Sequence, residues 1–169
     1  MKKAFKKYMA SIKPLEILIP AAVIIFVLFL FLWPFEIIGN SMQPAVYGGD
    51  YVFISRAASF CGFMNNSDII VFRYGSEDVV KRLIALPGDH IQIKSGNVFV
   101  NGIKLRETYL PDAYTEGEID TVLKKDEYFL LGDNRSLSHD SRQIGPVKKG
   151  MIKGKVLLRF LPVNDFKIF

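Results

Sequence analysis

The stretch from Ile17 to Trp33 restricts this chain more than any other feature, because it holds no charged residue. As a helix rising 1.5 Å per residue it reaches roughly 25 Å, near the short end for a bilayer span. Leu15 and Phe35 lengthen it if Glu16 lies at the interface. Pro20 falls about one turn in, where a missing amide is cheap. Trp33 suits a membrane–water interface, and Pro34 after it is a stop signal. Lys2, Lys3, Lys6, Lys7 and Lys13 precede the run with no acid among them. A cleaved leader would be followed by small residues, whereas Trp33-Pro34-Phe35-Glu36 follows here. A buried helix would need a small domain to cover it on all sides. The sequence therefore predicts an uncleaved anchor in the cytoplasmic (inner) membrane, crossing once. Residues 1–14 form a basic cytoplasmic tail, 15–35 a transmembrane signal-anchor helix, and 36–169 an extracytoplasmic domain. The lysines set that orientation and make the lipid bilayer a partner.

The same lysines explain the net charge of +5. Removing these five from the 22 basic residues leaves 17, against 17 acidic ones. The domain beyond the run is formally neutral, so it has no basic face for nucleic acid. Cys61 is the single cysteine, which excludes an intramolecular disulfide. With only two histidines, it also leaves too few ligands for an ordinary structural zinc site.

Past the run, short alternating segments dominate. Asp50–Ser55, Asp68–Phe72, Val79–Leu86, Ile91–Ile93, Val98–Val100, Ile103–Leu105, Glu127–Leu131 and Lys155–Phe160 read as strands. Lys94-Ser95-Gly96-Asn97 and Asn101-Gly102 are tight-turn signals. No later segment keeps helical periodicity over three turns. The fold class is mostly β: one N-terminal transmembrane helix followed by a compact antiparallel β domain. Pro111–Asp120 reads as an acidic surface loop. Phe60–Met64 is an apolar loop that either tucks onto the core or rests on the membrane as a lip.

Four segments could carry chemistry. Gly39-Asn40-Ser41-Met42-Gln43-Pro44 places a serine in a constrained turn before a strand. Asp50–Arg56 opens a strand after two glycines. Val79–Asp89 places Lys81 and Arg82 inside an apolar strand, where alternation sends one inward and the other outward. A buried lysine is costly unless paired or neutral, so a lysine snorkelling at a sheet edge is the plainer alternative. Gly132–Gly145 is dense in hydrogen-bonding side chains, either a solvated loop or a salt-bridged scaffold.

In this order, behind an N-terminal anchor, these segments resemble bacterial type I signal peptidases, in their compact form without a large inserted domain. Gly-Asn-Ser-Met-Gln-Pro resembles the family's nucleophile box, and Lys-Arg-Leu-Ile-Ala-Leu-Pro-Gly-Asp its lysine box. Gly-Asp-Asn-Arg followed by Ser-His-Asp-Ser-Arg resembles its last box. The resemblance implies Ser41 as nucleophile, Lys81 as general base and Ser138 as a serine orienting the lysine. It implies Asp140 and Arg142 as a supporting ion pair, and Asp133 and Arg135 as further scaffold. Position 45 is Ala where the family usually has Thr. Position 39 is Gly where some members supply a hydroxyl to the oxyanion hole, which leaves the Ser41 amide as the expected donor. The implied substrates are signal peptides of preproteins, cut after small residues in an Ala-x-Ala-like pattern and bound along a sheet edge. Phe35, Ile37, Met42 and Val80 flank the pair in sequence and are candidate pocket residues. No metal or organic cofactor is needed.

A neutral lysine is what such chemistry requires, because only that form takes the serine proton. Keeping an ordinary lysine neutral at pH 7 costs roughly 4–5 kcal/mol, and burial lowers that cost. A Ser-His-Asp triad from Ser41, His139 and Asp140 is the competing arrangement, though adjacent residues rarely put a carboxylate behind an imidazole. Competing functions are a Ser-Lys peptidase dedicated to one pilin or to a conjugation or secretion component, a self-cleaving repressor, and a membrane-tethered β domain with a weak site.

Overall fold

The computed structural model describes residues 13–110 and 114–169, and divides into two compact units between Trp33 and Pro34. The first contains helix α1 (Pro14–Phe31), with Pro14 at its first position, where no amide is missed, and Pro20 within it. Among the described residues, no helix is long and apolar enough to cross a membrane. The helix stops short of the expected Phe35. Pro34 has no amide and forces Trp33 out of the helical region, so Leu32–Glu36 runs extended as β1. Lys2, Lys3, Lys6 and Lys7 lie outside the described residues.

The second unit is built of antiparallel strands, as the alternating pattern predicts. They are β2 (Tyr51–Ser55), β3 (Ile69–Tyr74), β4 (Glu77–Ala85), β5 (His90–Lys94), β6 (Asn97–Val100), β7 (Ile103–Lys104), β8 (Ile119–Val122), β9 (Glu127–Leu131), β10 (Val147–Lys148), β11 (Ile152–Leu161) and β12 (Lys167–Ile168). One sheet runs β1-β2-β11-β3-β4-β9-β10, with β12 also on β11; the other runs β7-β6-β5-β8. Strand β8 falls inside the stretch expected to end as a loop at Asp120. Its residues pair with β5, Ile119 against Ile93 and Val122 against His90.

Two short helices also appear where sequence predicted none. Helix α2 (Arg56–Cys61) is capped by Ser55, whose Oγ accepts the Ala58 amide at 3.3 Å, and ends at Gly62. It takes up the first two residues of the expected Phe60–Met64 loop. Met64 is buried in the core and Phe63 is exposed; the Phe60 side chain lies outside the described residues. Helix α3 (Ser141–Ile144) is a single turn with a capping box formed by Asp140 and Gln143.

Three apolar clusters fill the second unit, and β4 threads all of them. Val80 packs with Ile37, Met42, Val46, Val71 and Val156; Leu83 packs with Ile70, Phe72 and Leu130; Ile84 and Ala85 pack with Ile91, Ile93 and Phe129. The strand is therefore fixed along its length, and a residue on it is held to a defined position. Only at Arg82 do strands pair with it on both sides. Strand β3 pairs with Glu77–Arg82, but β9 pairs only at Arg82, Leu83 and Ala85. On the β9 side, the edge from Glu77 to Lys81 carries no strand among the described residues.

Candidate active site

Ser41 sits in a turn whose shape starts at Gly39, which adopts φ +81°, a left-handed conformation that side chains resist. The turn closes with Gln43 N–H donating to Asn40 O at 3.3 Å and Val46 N–H donating to Met42 O at 3.1 Å. Met42, Ala45 and Val46 anchor it in the first core cluster. From the opposite side, Asn134 N–H donates to Ser41 O at 3.0 Å, tying the turn to the loop after β9. That approach needs a glycine at 132. A Cβ there would lie 2.7 Å from Ser41 O and collide with the Ser138 side chain. Among the described residues, the Ser41 amide donates no hydrogen bond and stays available.

Lys81 reaches this turn from the middle of β4. Its Nζ donates to Ser41 Oγ at 2.6 Å, and the residue is only 3% exposed. Burial lowers its pKa from 10.5 to about 8. Asp140 and Asp133 oppose that shift, and Arg142 adds to it. The difference matters for chemistry: at pH 7 the neutral form costs about 1.4 kcal/mol rather than about 5. The snorkelling alternative fails because the Lys81 ammonium is buried against Ser41 and does not reach solvent, although the β9 side of the strand is open there. The alternation forecast for Lys81 and Arg82 also fails. Both are buried, because Asp133, Ser67 and Tyr109 cover the face where Arg82 emerges.

The pair lies in the wall of a cleft of roughly 1020 Å³ that runs along the open edge of β4. Phe35, Gly39, Ser41, Val80 and Lys81 line it, together with Tyr74, Leu137 and His139. Of the four candidate pocket residues, Phe35 and Val80 face the cleft. Ile37 and Met42 do not; at 2% and 1% exposure they are core residues beneath the serine turn.

A family model described as "Signal peptidase, peptidase S26" matches residues 11–161. Signal peptidase IB of Staphylococcus aureus (strain COL) is 32% identical, with 99% of this chain and 95% of the relative covered. Signal peptidase I P of Bacillus subtilis subsp. natto is 35% identical, with 87% of each covered. A crystal structure of a signal peptidase I from Enterococcus faecalis V583 superposes with a TM-score of 0.50 at 31% identity, covering 54% of this chain and 95% of that one. The chain belongs to the signal peptidase S26 family. It is a serine peptidase, and membership implies signal-peptide processing with preproteins as substrates.

In this signal peptidase the last motif folds back under the serine turn. Asp140 is fully buried: Oδ2 accepts Gly132 N–H at 3.0 Å and Oδ1 accepts Arg142 Nε at 2.8 Å. Arg142 Nη2 donates to Arg135 O at 2.6 Å and Ser138 O at 3.2 Å, so one ion pair pins both ends of the loop. Asp140 thus spends its carboxylate on Gly132 and Arg142, and His139 is exposed. The Ser-His-Asp arrangement gains no support from this geometry. Ser138 is buried beside Gly132, but its Oγ has no hydrogen-bond partner among the described residues, and Lys81 Nζ is bonded to Ser41 instead.

Asp133 and Arg135 do not pair with each other. Asp133 takes a bidentate contact from Arg82, Nε to Oδ1 at 2.7 Å and Nη2 to Oδ2 at 2.5 Å. Burial still raises the Asp133 pKa, partly offset by Arg82. Arg135 donates to Gly132 O at 3.0 Å and forks onto Glu107, which the sequence reading missed. Glu107 stands in the segment after β7, far along the chain from every recognised motif. The one available signal was arithmetic: Arg82, Arg135 and Arg142 outnumber Asp133 and Asp140, so three buried arginines needed a third acid.

Proposed function

We propose that this chain is a membrane-anchored signal peptidase I in which Ser41 attacks the scissile carbonyl and Lys81 takes its proton. The observation that carries the reading is the 2.6 Å contact between Lys81 Nζ and Ser41 Oγ in the cleft wall, with Lys81 shifted toward its neutral form. Proton transfer to Lys81 accompanies attack, and the same lysine then protonates the leaving amine. A water, activated by Lys81 in turn, resolves the acyl-enzyme. The free Ser41 amide is the oxyanion donor. Ser138, Asp140, Arg142, Asp133 and Arg135 hold the loop that fixes Ser41.

The substrate pairs as an extended strand with the open Glu77–Lys81 edge of β4. Small residues one and three positions before the cut fit against Phe35 and Val80, in an Ala-x-Ala-like pattern. The anchor is proposed from the charge-free run between Leu15 and Phe35 and the lysines before it. It places residues 36–169 outside the cytoplasm.

Purified full-length protein is incubated with a preprotein beside Ser41→Ala and Lys81→Ala. Cleavage by the wild type alone is expected; cleavage by all three, or by none, removes the reading. A panel of unrelated preproteins separates a general enzyme from one dedicated to a single substrate. Protease protection in membrane vesicles tests the topology, since a C-terminal domain shielded on the cytoplasmic side would reverse it.

A further inference from the structure

Two residues outside the recognised motifs touch both halves of the Ser41–Lys81 support. Glu107 is buried, with its side chain 2% exposed. Its Oε2 accepts Arg135 Nη1 at 3.0 Å, and Oε1 accepts both Arg135 Nη2 and the Tyr109 hydroxyl, the latter at 2.7 Å. Tyr109 lays its ring over the guanidinium of Arg82, 4.0 Å from Cζ to the centroid. Burial and the neighbouring Glu107 carboxylate hold the Tyr109 phenol protonated, so it donates to Glu107.

Each contact leads directly to the reacting pair. Arg82 follows Lys81 on β4, and Arg135 Nε grips Gly132 O. Gly132 leads into Asn134, whose amide holds Ser41 O. Both acids of the loop are already committed, Asp133 to Arg82 and Asp140 to Arg142 and the Gly132 amide. Glu107 is therefore the counter-charge that lets Arg135 stay buried while it holds the Gly132 carbonyl. Without it, a buried cation seeks water or another acid, and the loop moves with it.

We infer that Glu107 and Tyr109 are positioning residues for catalysis, a clamp from outside the motifs that sets the distance between Ser41 and Lys81. This rests on the dyad reading above. The clamp acts on geometry rather than on substrate contact, and neither residue belongs to the Ser41 side of the cleft. Its loss should therefore appear in kcat and leave KM nearly unchanged. A misplacement near 1 Å is enough for losses on the order of 100-fold.

The test measures kcat, KM and thermal midpoint for Glu107→Gln, Tyr109→Phe and the control Ile93→Val in full-length protein. Glu107→Gln keeps the volume and the Tyr109 bond but removes the charge. Tyr109→Phe keeps the ring over Arg82 and removes the hydroxyl, and it serves if Glu107→Gln does not fold. Ile93→Val trims the core beneath the four-stranded sheet. Expected are a roughly tenfold fall in kcat for Glu107→Gln and a roughly threefold fall for Tyr109→Phe, with KM within about twofold, assayed well below each midpoint. Ile93→Val should lower the midpoint without lowering kcat. A kcat for both clamp variants equal to wild type, or no lower than that of Ile93→Val at a matched loss of midpoint, overturns the inference. Ser41→Ala and Lys81→Ala run in parallel: activity in either overturns the dyad and the clamp together, whereas inactivity in both with full kcat in the clamp variants sinks the clamp alone.

Discussion

Raising the pH should switch this enzyme on over a window set by Lys81. As the proposed proton acceptor it would act only when neutral, and burial places its pKa at about 8 rather than 10.5. For a pKa of about 8, roughly 10% of the lysine is neutral at pH 7 and roughly 90% at pH 9. kcat/KM should therefore rise about tenfold between these points and level off above pH 9, because this parameter reports the free enzyme's titration. An unperturbed lysine behaves differently: its neutral fraction climbs about 100-fold over the same interval and is still climbing at pH 9. The assay is initial rate at low concentration of a blocked peptide substrate carrying no group that titrates between pH 6 and 10. Unit slope continuing past pH 9 would refute the buried-base argument. A flat profile would refute Lys81 as the base.

Other consequences follow from the same geometry. Gly132→Ala should lower activity by about 100-fold or more with modest loss of folding, since the new Cβ meets Ser41 O and Ser138; normal kcat in a steady-state assay would contradict the close approach. Lys81→Met should stabilise the protein by about 1–3 kcal/mol near pH 7 in denaturant titration. Its folded pKa lies below the unfolded value, so the folded state binds fewer protons between the two. The penalty is full below pH 8 and disappears toward pH 10.5, and the gain from Lys81→Met should shrink over that interval. Asp140→Ala should cost about 3–5 kcal/mol, because it strands Arg142 and the Gly132 amide in the interior; a thermal midpoint within a degree of wild type would show the pair to be dispensable.

The strands were legible because β5, β6 and β11 carry apolar residues at the alternate spacing of a half-buried sheet, and β4 and β9 carry short apolar runs buried on both faces. The motifs were legible as chemistry only in combination: Ser41 alone reads as a turn, and Lys81 alone as a misplaced strand lysine. Two kinds of feature escaped. Local terminators changed element limits, as Pro34 did when it ended α1 early and made Leu32–Glu36 extended. Tertiary pairing reassigned partners, as when Asp133 turned to Arg82 and Arg135 to Glu107. No sequence spacing encodes that exchange, because it depends on how the segment after β7 lies against the loop after β9. Ile37 and Met42 show the same limit. Adjacency to Ser41 suggested a pocket, but the turn packs both side chains beneath it into the core.

The open edge of β4 has one more implication. The proposed recognition along Glu77–Lys81 would engage a partner's main chain over about five residues, or roughly 17 Å of fully extended polypeptide. A segment already committed to a helix or to its own sheet cannot present that length of unpaired backbone. On that proposal the cleft would discriminate by foldedness as well as by side-chain size. Mature domains with Ala-x-Ala inside a helix would be spared, and processing would be confined to stretches still unstructured when they reach the enzyme.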